Sequence, residues 1–388
     1  MAVEGISVNR ELTRRSFLGV SGVATLAAAA CSPQAPVPAA PAAQSPASAP
    51  SPAGWEREWN ELVTAAKREG KVSVACGPGQ RFWVEAFEAA FPGITADFQE
   101  LGGSAVVVKK ISDERQAGVY AWDNLITAVP VILSSLKPIG VLESVAANLV
   151  KRPDIVDDKN WTRGFDSGWV DKDKRLCNAC TETVGGFVTI NKSLISENEI
   201  KTVDDLLNPK WKGKIVWGQK GTTPVFGPAT AVRLNKGDEF LKRLIVDQQS
   251  VFASDNHQMH ESLVRGRYPI AISFSPSELV KFTDAGAGKD VAFINVPELT
   301  FINSWGVWMF NKPAHPNAAK LFANWSLTRA AGDALAKSKF NPRRADSTPP
   351  DPIAAPRPGQ KYTPVDYEDL LAEVNKTQAL VADLSKQL

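Results

Sequence analysis

The sequence predicts an α/β protein built from parallel βαβ units. From Trp55 onward the order strand, glycine-marked turn, helix recurs three times, the pattern of a parallel sheet with crossover helices. The hydrophobic fraction, 44%, is enough to fill more than one core. Beyond residue 54 the length suggests two domains or one large one, at about 100–200 residues per domain.

The chain opens with a leader. Arg14 and Arg15 precede Ser16-Phe17-Leu18, and Gly19 to Ala30 carries no charge. A positive n-region and a short apolar run mark a secretory signal, and the paired arginines fit the twin-arginine type. The run is too short for a membrane span, which needs about 20 apolar residues, and no later segment is apolar for longer. Ala28-Ala29-Ala30-Cys31 resembles a lipobox, so residues 1–30 are read as signal and Cys31 as the lipidated first residue of the mature chain. Residues 31–54 are rich in Pro, Ala and Ser with no apolar period. Such a stretch cannot bury enough surface to order itself and reads as a tether.

The folded part begins with an amphipathic helix over 55–68, followed by a strand at 71–76. A helix over 81–91, a strand over 94–101, a helix over 105–117, a strand at 123–127 and a helix over 131–140 follow. Trp83, Phe87, Ala90 and Phe91 share one helical face, the period expected of a core-facing helix. Gly77-Pro78-Gly79, Pro92-Gly93 and Gly102-Gly103 supply the breaks. Lys plus Arg (44) nearly balance Asp plus Glu (42), which gives no case for a nucleic-acid partner.

Glu69-Gly70-Lys71-Val72, Ala86-Phe87-Glu88-Ala89-Ala90-Phe91-Pro92-Gly93-Ile94 and Glu114 to Tyr120 are followed by Asn208 to Ile215, Glu261 to Gly266, His315 to Trp325 and Asn341-Pro342-Arg343-Arg344. In this order and spacing the chain resembles the extracellular solute-binding proteins of ABC importers, in the subgroup holding ferric-ion, thiamine and phosphonate binders. The resemblance runs from about Trp55 to Leu388. It implies a two-lobed type II periplasmic-binding fold, with three-layer α/β/α lobes joined by hinge strands that cross about twice. By analogy lobe 1 takes 55–190 and 298–325, and lobe 2 takes 191–297 and 326–388. It further implies a monomeric clamp that closes on a small molecule, delivers it to a membrane permease, needs no cofactor and catalyses nothing. With the leader, it implies a membrane-anchored lipoprotein facing the periplasm or the cell exterior.

In open α/β sheets ligands sit beyond the carboxyl ends of strands, where helix N-termini offer free N–H groups. Four loops qualify: Gly77 to Arg81 with Gln80, Gly102 to Ser104, Thr127-Ala128, and Gly218 to Thr223 with Lys220 and Thr222. Such turns favour an anion or a polar group, and Arg81 offers a bidentate contact. Ferric binders of the resembled subgroup use adjacent tyrosines after a late strand; here that stretch reads Ile270-Ala271-Ile272-Ser273-Phe274-Ser275-Pro276-Ser277, without tyrosine. Ser273 and Ser275 suggest a neutral or anionic organic ligand. Trp305, with Trp122 and Trp217 near other strand ends, offers an aromatic wall. Polyamine, thiamine-like, phosphonate, sugar-phosphate and aromatic acid ligands all stay open.

Two alternatives rest on other residues. His257 and His260, at i and i+3, suit a metal or metal-complex site, while His257 also suits a polar contact to an organic ligand. Cys177 and Cys180 raise a thiol redox protein, although residues three apart in a strand point to opposite faces. They are expected as reduced, mostly buried thiols, and Cys76 as a free thiol beside the pocket.

Overall fold

The computed structural model describes residues 54–77 and 79–388; the signal, Cys31 and all but the last residue of the tether lie outside the described residues. Helix α1 (Gly54–Glu69) leads into β1 (Lys71–Cys76), α2 (Phe82–Ala90), β2 (Thr95–Glu100), α3 (Ser104–Gln116) and β3 (Asn124–Ala128). β1 pairs in parallel with both β2 and β3. That central place buries both its faces, so every residue from Val72 to Cys76 is buried, Ser73 included. Where a helix over 131–140 was expected, one α-turn at Val129–Val131 passes into a π-turn ending at Leu136.

After the short β4 (Leu142–Glu143) and an irregular stretch come β5 (Ala179–Gly185) and β6 (Val188–Asn191). The chain is interrupted between them at Gly186 and Phe187. Gly186 stands at φ +85°, and a Cβ there would lie 2.0 Å from the Leu299 carbonyl oxygen. Only glycine fits that approach, and the chain passes here from one sheet to another.

The second sheet collects β6, β7 (Ile215–Trp217), β8 (Val251–Phe252), β9 (Ile270–Ile272) and β10 (Val291–Ile294) in the order β10-β6-β9-β7-β8. Its helices include α4 (Thr223–Lys236), α5 (Asn256–Val264) and α6 (Pro276–Asp284). β11 (Phe301–Phe310) returns to the first sheet, lying antiparallel to β3 and β5. Helices α7 (Pro316–Trp325) and α8 (Arg329–Lys337), β12 (Thr363–Pro364) and α9 (Leu371–Leu384) complete the chain.

Each sheet is covered on both faces. Against the first, Trp83, Phe87, Phe322 and Trp325 pack on one side, and Val107, Ile111, Leu133 and Trp308 on the other. Against the second, Val225, Leu241, Ile245 and Val381 oppose Met259, Leu263 and Phe274. Two parts of the expected division change. β6 belongs to the second sheet, although 188–190 were expected with the first. Residues 326–364, expected with the second, lie on the first: α8 buries Ala331 and Leu335 beside Trp83, and β12 pairs with β11. Only α9 returns to the second core, through Val381 and Leu384. The chain therefore passes between the sheets three times, at Gly185-Gly186, before Phe301, and after Pro364.

Candidate functional site

A cleft of about 320 Å³ lies where the passages meet. Thr183, Gly185, Phe301, Asn303, Lys339, Phe340, Asn341, Asp351 and Ala354 line one side. Thr223, Pro224 and Ser273 to Ser277 line the other. Thr183 and Asn303 are cross-strand partners on β5 and β11.

Two helix N-termini border this space. Thr222 is extended before α4, and Pro224 sits in its first turn, where a missing N–H costs nothing. Ser275 precedes α6, its hydroxyl 2.8 Å from that of Ser277. The first N–H groups of a helix have no internal partner and carry partial positive charge. The Ser275 N–H donates to Nε2 of His260 at 3.4 Å. His260 is buried against the Phe274 ring, and burial drives its pKa down to about 4. It is a neutral acceptor there.

On the opposite side α8 ends in a reversed turn. Lys339 N–H donates to Ala336 O and Phe340 N–H to Leu335 O, with Lys339 at φ +68°. This is the Schellman arrangement, whose left-handed residue is usually glycine. Of the five non-glycine residues with positive φ among the described residues, two, Ser273 and Lys339, line this one cleft. Left-handed side chains are costly and gather where a site requires them. The Phe340 ring stacks on Phe82 at 5.3 Å and leans on Trp305 at 6.2 Å. Asn341 fixes the next wall: its Nδ2 donates to Asp351 O at 2.9 Å, and its Oδ1 accepts from Asp351 N at 3.1 Å.

Below the cleft lies a buried polar layer. Arg343 donates to the carbonyls of Ala179, Gly164 and Phe165 and to Asn178 Oδ1. Arg163 pairs with Glu182, which also accepts from the Tyr367 hydroxyl. The Ser304 N–H donates to the Asp366 carboxylate. Burial pushes the Asp366 pKa up to about 8.

Of the residues expected at the site, the cleft brings together Thr223, Ser273 and Ser275. Thr222 adjoins Thr223, with its hydroxyl on Gln219 O at 2.6 Å. Trp305 stands one ring behind, against Phe340. Trp122 and Trp217 are core residues, 4% and 0% exposed. Gln80 is buried ahead of α2, Thr127 is buried opposite Gly306, and Arg81 is on the surface 3.7 Å from Glu85. Ser104 opens α3, and its side chain lies outside the described residues. Lys220 points elsewhere, its Nζ 3.5 Å from Ser385 Oγ and 5.8 Å from the Phe252 ring. The glycine-rich turn around it is real, but the side chain lies against the C-terminal end of the chain. His257 stacks flat on Phe282 at 5.7 Å.

Lys339, Asn341 and Asp351 were not anticipated. The only local signal near them was the Asn341 to Arg344 motif. Among the described residues no group of three or more His, Cys, Asp or Glu is placed to hold a metal ion. Cys76, expected beside the pocket, is wholly buried, with its thiol near the Gln99 carbonyl. Cys177 and Cys180 are free and buried, and burial raises both thiol pKa values, that of Cys180 to about 11. Thiols held so far from the thiolate are poor redox nucleophiles. No described helix is long and apolar enough to cross a membrane.

Residues 83–357 match the family of bacterial extracellular solute-binding proteins, well over half of the chain. No curated protein matches the sequence. Among solved structures, an ABC transporter protein from Clostridium perfringens is 14% identical, covers 81% of this chain and 99% of its own, and superposes with a TM-score of 0.64. Ferric iron-binding protein A of Mannheimia haemolytica, in an open conformation, is 14% identical over 82% and 99% of the two chains, with a TM-score of 0.62. The periplasmic binding protein AfuA of Actinobacillus pleuropneumoniae, with fructose-6-phosphate bound, is 17% identical over 82% and 98%, with a TM-score of 0.52. At such identities the likeness speaks for the fold, that of the two-lobed type II periplasmic binding proteins.

Proposed function

This chain belongs to the bacterial extracellular solute-binding proteins, and from that premise we propose that it clamps a small anionic organic solute between its two sheets for delivery to an ABC permease. Proteins of this family bind and do not transform, and no catalytic role is assigned to any residue here. The observation that carries the anion is the convergence on one cleft of the Lys339 ammonium and the N-terminal turns of α4 and α6. Lys339 has no side-chain partner among the described residues. The positive ends of two helices and a cation facing one space attract an oxyanion.

Closure follows from differential contact. A solute touching only Thr223 and Ser275 on one side, or only Lys339 and Asn341 on the other, has no preference between open and closed forms. One that reaches both shifts the population toward closure. The absence of tyrosine from Ser273 to Ser277 disfavours tyrosine-held ferric iron. His260 serves Ser275, so a metal site on His257 and His260 draws no support. Of the ligands named for the neighbours, fructose-6-phosphate in AfuA is the kind of organic anion this cleft suits. Arg14-Arg15 and Cys31 support export by the twin-arginine route and lipid anchoring, with a monomer held off the membrane by the tether.

The test is thermal denaturation of the full chain with phosphates, phosphonates, carboxylates, amines and metal ions in turn. A ligand that binds only the folded state stabilises by about 2.7 kcal/mol at a hundredfold excess over Kd. A rise in Tm confined to organic anions and lost in Lys339→Ala is the expected result. A rise with metals or amines alone overturns the reading.

A further inference from the structure

We infer that the solute is an amine-bearing acid, held at its anionic end by Lys339 and the α4 and α6 N-termini and at its ammonium end by Asp351. The inference rests on the reading of the cleft as an organic-anion site and narrows it.

Lys339 and Asp351 line the same cleft and carry opposite charges. Neither makes an ion pair with the other or with any described residue. Asp351 is fixed where it stands. Its main chain is held at both polar groups by the Asn341 amide, and its Oδ1 accepts the N–H groups of Ile353 and Ala354, each at 3.1 Å. Ala354, three residues on, is 2% exposed, and its carbonyl accepts the Val184 N–H at 2.8 Å, which ties this wall to the first passage between the sheets. Oδ2 has no partner among the described residues.

The turn at Asp351 needs an acceptor at Oδ1 and does not need a charge, since asparagine makes the same local bonds. The charge therefore calls for another partner. When the cleft closes, both ionic groups lose water, and a buried charge without a counter-charge costs several kcal/mol. A simple anion would satisfy Lys339 and strand Asp351; a simple amine would do the reverse. A solute bearing both charges satisfies the two at once. The neutral pair Thr183 and Asn303 lies on the same wall, available to hydroxyl or amide groups between the ends. A volume of about 320 Å³ is at the small end of ligand pockets.

The experiment is calorimetric titration of the full chain with three matched pairs: 4-aminobutyrate and butyrate, 3-aminopropylphosphonate and propylphosphonate, glucosamine 6-phosphate and glucose 6-phosphate, with butylamine as the lone cation. In at least one pair the amine-bearing acid is expected to bind tenfold or more tightly than its amine-free partner. Asp351→Asn, which keeps the Oδ1 acceptor and removes the charge that an amine-free acid strands, is expected to erase that preference by weakening the amine-bearing acid and tightening its amine-free partner. Lys339→Ala weakens both members. The pairs also separate carboxylate from phosphonate and phosphate ends. If amine-free acids bind as well as their partners, or the preference survives Asp351→Asn, the zwitterion falls and the anion site stands. If butylamine binds and no acid does, both fall. If nothing in the panel binds, the zwitterion falls. The wild-type comparison alone decides should Asp351→Asn not fold.

Discussion

The Ser273 hydroxyl accepts the backbone N–H of Gly186 at 3.0 Å. One residue lines the cleft, and the other is the point where the chain leaves the first sheet for the second. Ser273 also donates its own N–H to Phe187 O at 2.9 Å while held at φ +68°. Ser273→Ala strands a buried N–H at the hinge, which costs about 1–3 kcal/mol. The urea midpoint is expected to fall with an unchanged slope; an unchanged midpoint would show that the bond contributes nothing.

Gly186→Ala meets two obstacles, the positive φ and the Leu299 carbonyl oxygen 2.0 Å from the new Cβ. Gly93, at φ +99°, has nothing within 4 Å of a Cβ. Gly93→Ala therefore costs only the left-handed penalty of about 1–2 kcal/mol, and Gly186→Ala much more. Soluble yield and Tm of the two variants compare them directly, and equal losses would contradict the tight hinge.

Lys339→Gly separates stability from binding. Glycine suits the left-handed turn end, so the variant is expected to gain about 1 kcal/mol of stability. It also removes the cation of the cleft. A higher Tm without ligand, together with at least tenfold weaker binding of an organic acid, is the expected pair of results. A lower Tm would show that Lys339 is not strained.

Asp366 sets a slope in stability with pH. Its pKa of about 8 in the fold lies above the unfolded value of about 3.9, so the native state holds the extra proton between those limits. This contribution is full below about pH 4 and is lost as pH rises through 8, by up to about 1.4 kcal/mol per pH unit. His260 acts in the opposite sense: with a pKa of about 4, its contribution is present above about 6.5 and is lost as pH falls through 4. Denaturation measured from pH 5 to 9 is expected to show a decline between about pH 6.5, where the opposite His260 slope ends, and about pH 8, where the curve levels, and Asp366→Asn flattens that decline. Among the charged groups acting on Asp366, Glu182 raises its pKa and Arg163 lowers it. An unaltered slope in Asp366→Asn would show that Asp366 does not set it.

The first half of the fold was legible because it is local. The faces of α1 and α2 and the apolar run of β1 follow from period and glycine breaks, and the observed ends agree within a residue or two. The cleft was only half legible. Ser273 and Ser275 lie just past a strand, where open sheets place ligands, so position in the sequence revealed them. Lys339 and Asp351 reach the cleft because α7 and α8 return to the first sheet and the proline-rich stretch after Asn341 folds back over β5. No short-range pattern carries that information. Lys220 misled for the same reason: the turn was right, and a contact with Ser385, 165 residues later, decided where its side chain went.

The closing helix has a consequence for how the molecule is made. The first sheet takes its last strand at Thr363–Pro364, and the second core is sealed only by α9, at Leu371–Leu384. A ribosome must therefore reach Pro364 before the first half can finish folding, and Leu384 before the second can. A nascent chain paused before Leu371 leaves the surface around Val225 and Leu241 uncovered, a ready target for chaperones. The first half can close once Pro364 has emerged, and the second waits for α9.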